Sequence, residues 1–148
     1  RGWVRAAKGH EIDPLELTYR DGDGFGHSAR GKSNELALFL DSSGRFYATP
    51  AYSLPSARSQ GEPLTGRFKP RDGADFVGMV MHKPGANLLL SSNAGFGFVA
   101  PADEMITKNK SGKACISISK GAVTMKITSN TSMTSIYGTT LISLIWRL

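Results

Sequence analysis

The 148 residues are 40% hydrophobic and 20% charged, which is enough apolar content for a packed core and too much for a disordered chain. Seventeen glycines and a scarcity of apolar residues at helical spacing argue against a helical bundle and for a turn-rich, all-β chain. The net charge of +6 is unevenly placed: residues 1–104 carry twelve Lys/Arg and twelve Asp/Glu, whereas residues 105–148 carry six Lys/Arg and no acid, an excess that suits a polyanionic partner or a solvated basic face.

In chain order, the first expected element is a short strand at Gly2-Trp3-Val4-Arg5, followed closely by Lys8-Gly9. Next comes the Asp-Gly turn at Arg20-Asp21-Gly22, which opens the strongest internal signal, a repeat with a spacing of 51 residues. Arg20-Asp21-Gly22 returns as Arg71-Asp72-Gly73, Phe25 as Phe76, Lys32 as Lys83, Leu38 as Leu89, Gly44 as Gly95, Pro50-Ala51 as Pro101-Ala102 and Gly61 as Gly112. Within each copy, an apolar run (Leu36–Leu40, Asn87–Leu90), a glycine-bearing turn (Asp41–Gly44, Ser92–Gly95) and a second run (Arg45–Ala48, Phe96–Val99) predict a β-hairpin. A proline loop then leads to Leu54 or Met105, and a further strand follows Gly61 or Gly112, plainest as Ala114–Ile118. About four short strands per copy describe a blade rather than a helical repeat. Gly2-Trp3-Val4-Arg5 has the form of Gly44-Arg45-Phe46-Tyr47, so residues 1–19 read as the end of an earlier partial blade, 20–70 and 71–121 as blades, and 122–148 as a divergent tail. In that tail the turn signature is replaced by Ala122-Val123-Thr124 and the hairpin glycine by Trp146, so it reads as an incomplete blade, an unrelated strand pair or a frame-shifted segment. The chain opens on Arg1 rather than Met and reads as a piece of a longer polypeptide.

No residue pattern announces catalysis. Cys115, alone of its type, predicts a buried, inert thiol in a reducing compartment. His10, His27 and His82 share no ligand spacing and read as surface residues. Asp21-Gly22-Asp23-Gly24 resembles a calcium loop, but Lys32 stands where the bidentate glutamate belongs. Gly22–Gly26 lacks the Lys-Ser/Thr of a phosphate loop, and the serines lack a His-Asp partner set. Trp3, Phe46, Tyr47, Phe96 and Phe98 are expected in the core rather than as base-stacking platforms. No apolar run approaches the ~20 residues of a membrane span.

Three ordered stretches carry a family resemblance: Gly2 through Asp13, Leu54-Pro55-Ser56-Ala57-Arg58-Ser59-Gln60-Gly61-Glu62-Pro63-Leu64-Thr65-Gly66, and Gly95–Val99 with Asn109–Ala114. Over residues 1–120 the chain resembles the C-terminal domain of bacterial type IIA topoisomerase A subunits. The basic, glycine-rich box of the gyrase branch is absent, which favours the topoisomerase IV branch, with the gyrase wrapping domain as the alternative. The resemblance implies a β-pinwheel fragment of about three four-stranded blades whose rim binds and bends duplex DNA. It implies a non-catalytic role in capturing DNA for ATP-dependent decatenation and supercoil relaxation. The cleaving tyrosine, ATP and Mg would act on other regions or on the ATPase B subunit of an A2B2 heterotetramer, with no cofactor in this segment. It implies a cytoplasmic, chromosome-associated protein without a membrane partner. On such a rim, cations on equivalent loops grip phosphates and offset the cost of bending. The first candidates are Arg58, Lys108, Lys110 and Lys113, with Arg5 and Lys8 in the comparable place of the partial blade, then Arg30, Lys32 and Arg45. Gly61 and Gly112 are expected to serve turns with positive φ, which also permits close approach to phosphate. The alternative of another class is a blade-repeat protein-interaction module, which the balanced charge of residues 1–104 would suit.

Overall fold

Leu36–Leu40 is apolar at every position and too short for a helix, the pattern of a strand covered on both faces. The computed structural model, which describes residues 2–9, 11–117, 124–129 and 141–147, shows this arrangement. Eleven strands are described: β1 (Trp3–Lys8), β2 (Phe25–Lys32), β3 (Leu36–Asp41), β4 (Arg45–Pro50), β5 (Glu62–Pro63), β6 (Phe76–Met81), β7 (Asn87–Ser92), β8 (Gly97–Pro101), β9 (Lys113–Ala114), β10 (Thr124–Ser129) and β11 (Leu141–Arg147). Short 3-10 turns at Pro14–Glu16, Ala51–Ser53, Leu64–Gly66 and Ala102–Met105 are the only helical elements among the described residues. The strands form three antiparallel sheets, ordered β2-β11-β1-β5, β6-β3-β4-β9 and β10-β7-β8.

The 51-residue repeat returns strand by strand. β3, β4 and β5 recur as β7, β8 and β9, and both hairpins keep one register, with Leu38 opposite Ala48 and Leu89 opposite Val99. Gly44 and Gly95 turn these hairpins at φ +81° and +80°, a conformation open to glycine without steric cost. No sheet is built from one copy of the repeat. β3 and β4 of the first copy are flanked by β6 and β9 of the second, and β5 crosses back to pair with β1. The tail strands fall into the same scheme: β10 flanks β7 as β6 flanks β3, and β11 enters between β2 and β1, the place β3 holds between β6 and β4. A register shift recurs at corresponding points, between Leu40/Asp41 against β6, Trp146/Arg147 against β2 and Thr124/Lys126 against β7. The strand expected over Ala114–Ile118 is shorter, only Lys113–Ala114, and Ile118 and His10 lie outside the described residues.

Two cores lie on the two faces of the middle sheet. Ala37 and Phe39 point one way, into a cluster with Val4, Tyr47, Phe68 and Phe76. The rings of Phe39, Tyr47, Phe68 and Phe76 sit with centroids 5.1–6.4 Å apart in tilted or edge-on pairs. Leu38 and Leu40 point the other way, toward Phe46, Leu88, Leu90 and Met105. Phe46 and Tyr47 are thus core residues as expected, but Phe96 and Phe98 are 71% and 42% exposed. The reason is topological: β8 is an edge among the described strands, whereas β9 covers the corresponding edge of β4. Trp3 and Cys115 are half-buried rather than buried. Burial, the larger effect, raises the Cys115 thiol above its ordinary range and Lys113 opposes it. His82 departs from the surface reading. It is buried, and its Nε2 lies 2.6 Å from Asp103 Oδ1, a contact that, with the Gly85 amide, lowers the Asp103 carboxyl.

Leu38 and Leu89 occupy the same place in the repeat, yet one is fully buried and the other 51% exposed. Leu38→Ala should therefore cost about 2–5 kcal/mol of unfolding free energy, and Leu89→Ala no more than about 0.5 kcal/mol, both measured by urea denaturation.

Candidate nucleic-acid interface

The two loops that carry the leading cations are rooted alike. Ser56 Oγ accepts the Arg58 amide (3.3 Å), and Thr107 Oγ1 accepts the Asn109 amide (3.1 Å), one hydroxyl-capped turn in each copy. Each loop ends on a glycine with positive φ, +83° at Gly61 and +72° at Gly112. A β-carbon on Gly61 would lie 2.6 Å from the Val4 carbonyl oxygen; one on Gly112 would lie 2.7 Å from the Tyr47 ring and 3.0 Å from the Phe46 carbonyl oxygen. Val4 and Phe46 hold the same register position, opposite Glu62 and Lys113. The next contacts match as well: the Leu64 amide donates to the Gly2 carbonyl (2.8 Å) and the Cys115 amide to the Gly44 carbonyl (3.1 Å). These glycines exist for close packing against the preceding blade.

Beneath the second loop lies a buried carboxylate. Asp41 Oδ1 accepts from the Ser43 amide (2.9 Å), the Ser43 hydroxyl (2.7 Å) and the Arg45 amide (3.0 Å), while Oδ2 accepts from the Tyr47 hydroxyl (2.7 Å). Burial first, and the bond to Asp41 second, push the Tyr47 hydroxyl well above the ordinary phenol range, so it stays a donor. Asp41 thus holds the Tyr47 ring where Gly112 must pass it.

Arg58, Lys108 and Lys110 are exposed on these loops and Lys113 at the start of β9, as are Lys8 and Arg30 elsewhere. Lys113 Nζ donates to the Glu104 carbonyl at 2.5 Å. Lys32 is half-buried. Arg45 is half-buried too, and its Nη1 donates to the carbonyls of Ser111 and Gly112, each at 2.9 Å, so it braces the second loop from below. Arg5 corrects the expectation of a surface cation. It is only 5% exposed, its Nη2 donates to the Thr18 carbonyl (2.9 Å), and its guanidinium lies 5.1 Å from the centroid of the Tyr19 ring. The segment before β2 covers it. Two exposed cations near the second loop, Lys69 and Arg71, escape the sequence reading. The Lys69 amide donates to the Lys110 carbonyl (2.8 Å), which sets Lys69 beside the second loop, and Arg71 follows two residues later. Thr18 at the position matching Lys69 hides the first, and Arg71 is absorbed into a turn signature. Arg67, by contrast, is tied to Glu62, Thr49 and Ser53. Among the described residues no cluster of three His, Cys, Asp or Glu could hold a metal ion.

No family model matches the chain. Individual proteins do: it is 50% identical over 122 residues to the A subunit of DNA topoisomerase 4 from Pseudomonas aeruginosa, covering 82% of this chain and 16% of that protein. It is 50% identical over 125 residues to the Haemophilus influenzae counterpart, covering 84% and 17%, and 46% identical over 124 residues to the Escherichia coli K12 counterpart, covering 84% and 16%. The solved E. coli ParC C-terminal domain superposes with a TM-score of 0.80 at 44% identity, over 86% of this chain and 52% of that one. The chain belongs to the family of topoisomerase IV A-type C-terminal domains. It spans about a sixth of the length of its curated relatives and about half of the solved ParC domain. Its all-β sheets are thus part of a topoisomerase IV A-type pinwheel, and the choice of this branch over gyrase rests on these named relatives.

The packing of Gly112 gives a direct test. Gly112→Ala adds a left-handed penalty of about 1–2 kcal/mol to a clash of about 1–3 kcal/mol. Gly73, at φ +77° with open space around it, should incur only the former on mutation to Ala; thermal unfolding of the two variants compares them. Loss of the Arg45 brace in Arg45→Ala should let trypsin cut after Lys108 and Lys110 several-fold faster, as followed by mass spectrometry of timed digests.

Proposed function

We propose that the chain binds and bends duplex DNA for the topoisomerase IV enzyme, presenting segments for ATP-dependent decatenation and supercoil relaxation that other parts of the enzyme catalyse. The observation that carries this reading is the exposure of Arg58 in one copy and of Lys108 and Lys110 in the next, on loops of equivalent root. Duplex DNA is a dense line of negative charge, and cations at repeated intervals release its counterions without reading bases. A curved set of such contacts offsets the elastic cost of bending. The working assembly would be an A2B2 heterotetramer with an ATPase partner on the bacterial chromosome in the cytoplasm, with no cofactor bound by this segment. Among the described residues no helix is long and apolar enough to cross a membrane.

A second reading, a protein-docking surface, is favoured by the exposed Phe96, Phe98, Val99 and Leu89 of the third sheet. A salt titration of binding to a mixed-sequence duplex separates the two. Phosphate contact predicts a linear fall of log affinity with log salt. The triple change Lys108→Ala, Lys110→Ala and Lys113→Ala should weaken binding to all sequences alike and reduce the slope by about 3, near 1 for each lysine. A duplex affinity and slope equal to wild type would remove this loop from the interface.

A further inference from the structure

We propose that Arg45 and Arg71 form a phosphate-binding site in the depression between the start of β4 and the stretch Ala114–Ser117. That depression has a volume of about 430 Å³ and is lined by Ser43, Arg45, Arg71 and Ala114–Ser117.

The repeat supplies its own comparison. Trp3 and Arg45 hold one register position, opposite Pro63 in β5 and Ala114 in β9, and these two partners are 51 residues apart. Arg20 and Arg71 match at the same spacing, and the turns they open are alike, with the Asp23 amide on the Arg20 carbonyl (2.9 Å) and the Ala74 amide on the Arg71 carbonyl (3.0 Å). In the first pair the guanidinium of Arg20 lies 5.5 Å from the centroid of the Trp3 ring, a cation–π contact. In the second pair the aromatic ring is replaced by another guanidinium. The fold therefore brings two cations to the place where it otherwise sets a cation on a ring.

Neither guanidinium is drawn into an ion pair of the kind that Arg67 makes with Glu62. The carboxylate of this hairpin, Asp41, spends both oxygens on Ser43, the Arg45 amide and Tyr47, so its one negative charge offsets the two cations in part without pairing with either guanidinium. Arg45 spends Nη1 on two carbonyls, which fixes the guanidinium in place without cancelling its charge. A fixed guanidinium, an exposed one and the neighbouring Ser117 match a tetrahedral oxyanion, since planar N–H forks suit phosphate oxygens. The site also adjoins the cationic loop. Arg45 holds the Ser111 and Gly112 carbonyls, and Lys69, two residues before Arg71, holds that of Lys110. A phosphate bound here would lie in line with those on Lys108 and Lys110. Its identity as a duplex phosphodiester rests on the DNA-binding reading; the affinity for a phosphate group does not.

The test uses the whole chain with isotope-labelled arginine, titrated with inorganic phosphate, alongside duplex binding across a salt series. The expected result is that phosphate shifts the side-chain signals of Arg45 and Arg71 but not of Arg20, and that Arg71→Gln abolishes the shift at Arg45. In the duplex assay Arg71→Gln should lower affinity about 3–10-fold and cut the salt slope by about 1, with Arg71→Lys recovering the slope. Arg71 is exposed, so neither variant threatens the fold. Steep duplex binding with no phosphate shift, and with Arg71→Gln equal to wild type, overturns the site while leaving the DNA reading intact. Phosphate shifts at both arginines in a chain that does not bind duplex would uphold the site for free phosphate and sink the DNA reading.

Discussion

The amide of Leu64 on the carbonyl of Gly2, and that of Cys115 on the carbonyl of Gly44, tie each copy of the repeat into the sheet of the copy before it. Both bonds follow a glycine that slides past the preceding strand where no side chain fits. The spacing between blades is therefore set by backbone contacts, which vary less than side-chain packing does. Because the cationic loops end on these same glycines, their placement inherits that regularity. A rim built in this way can present positive charge at even intervals even though the residues that carry it differ from copy to copy.

Much of the architecture was legible because two of its signals are strong. The hairpins could be read from Gly44 and Gly95, which stand between apolar runs, and from the 51-residue return of whole turn motifs. The exchange of strands between copies could not, because Glu62–Pro63 and Lys113–Ala114 are two residues long and show no periodicity. Their partners are chosen by the glycine beside them rather than by their own composition.

The candidate site was legible in part for a related reason. Arg58, Lys108 and Lys110 sit in loops that the repeat aligns, and surface exposure follows from that position. Arg5 seemed equivalent to them but is enclosed by Thr18 and Tyr19, which lie before the repeated register begins. Phe96 and Phe98 mislead in the opposite direction. They look like Arg45 and its neighbours in a hairpin, yet their sheet has no described strand beyond β8, so the surface that would be core elsewhere faces outward. Sequence position within a repeat tells where a residue stands in its blade; it does not tell whether another blade stands beside it.

The borrowing of β5 by the first sheet and of β9 by the second also has a consequence for biosynthesis. A chain emerging from the ribosome begins with its N-terminal strands, but each sheet gains its last strand only after much of the following copy has been translated. The second sheet can close once β9 is made, but the first, which holds β11 between β2 and β1, gains its last described strand only when residues 141–147 have been translated. Until then β1 and β2 each keep an unpaired border through the synthesis of both copies, a surface on which neighbouring polypeptides could pair.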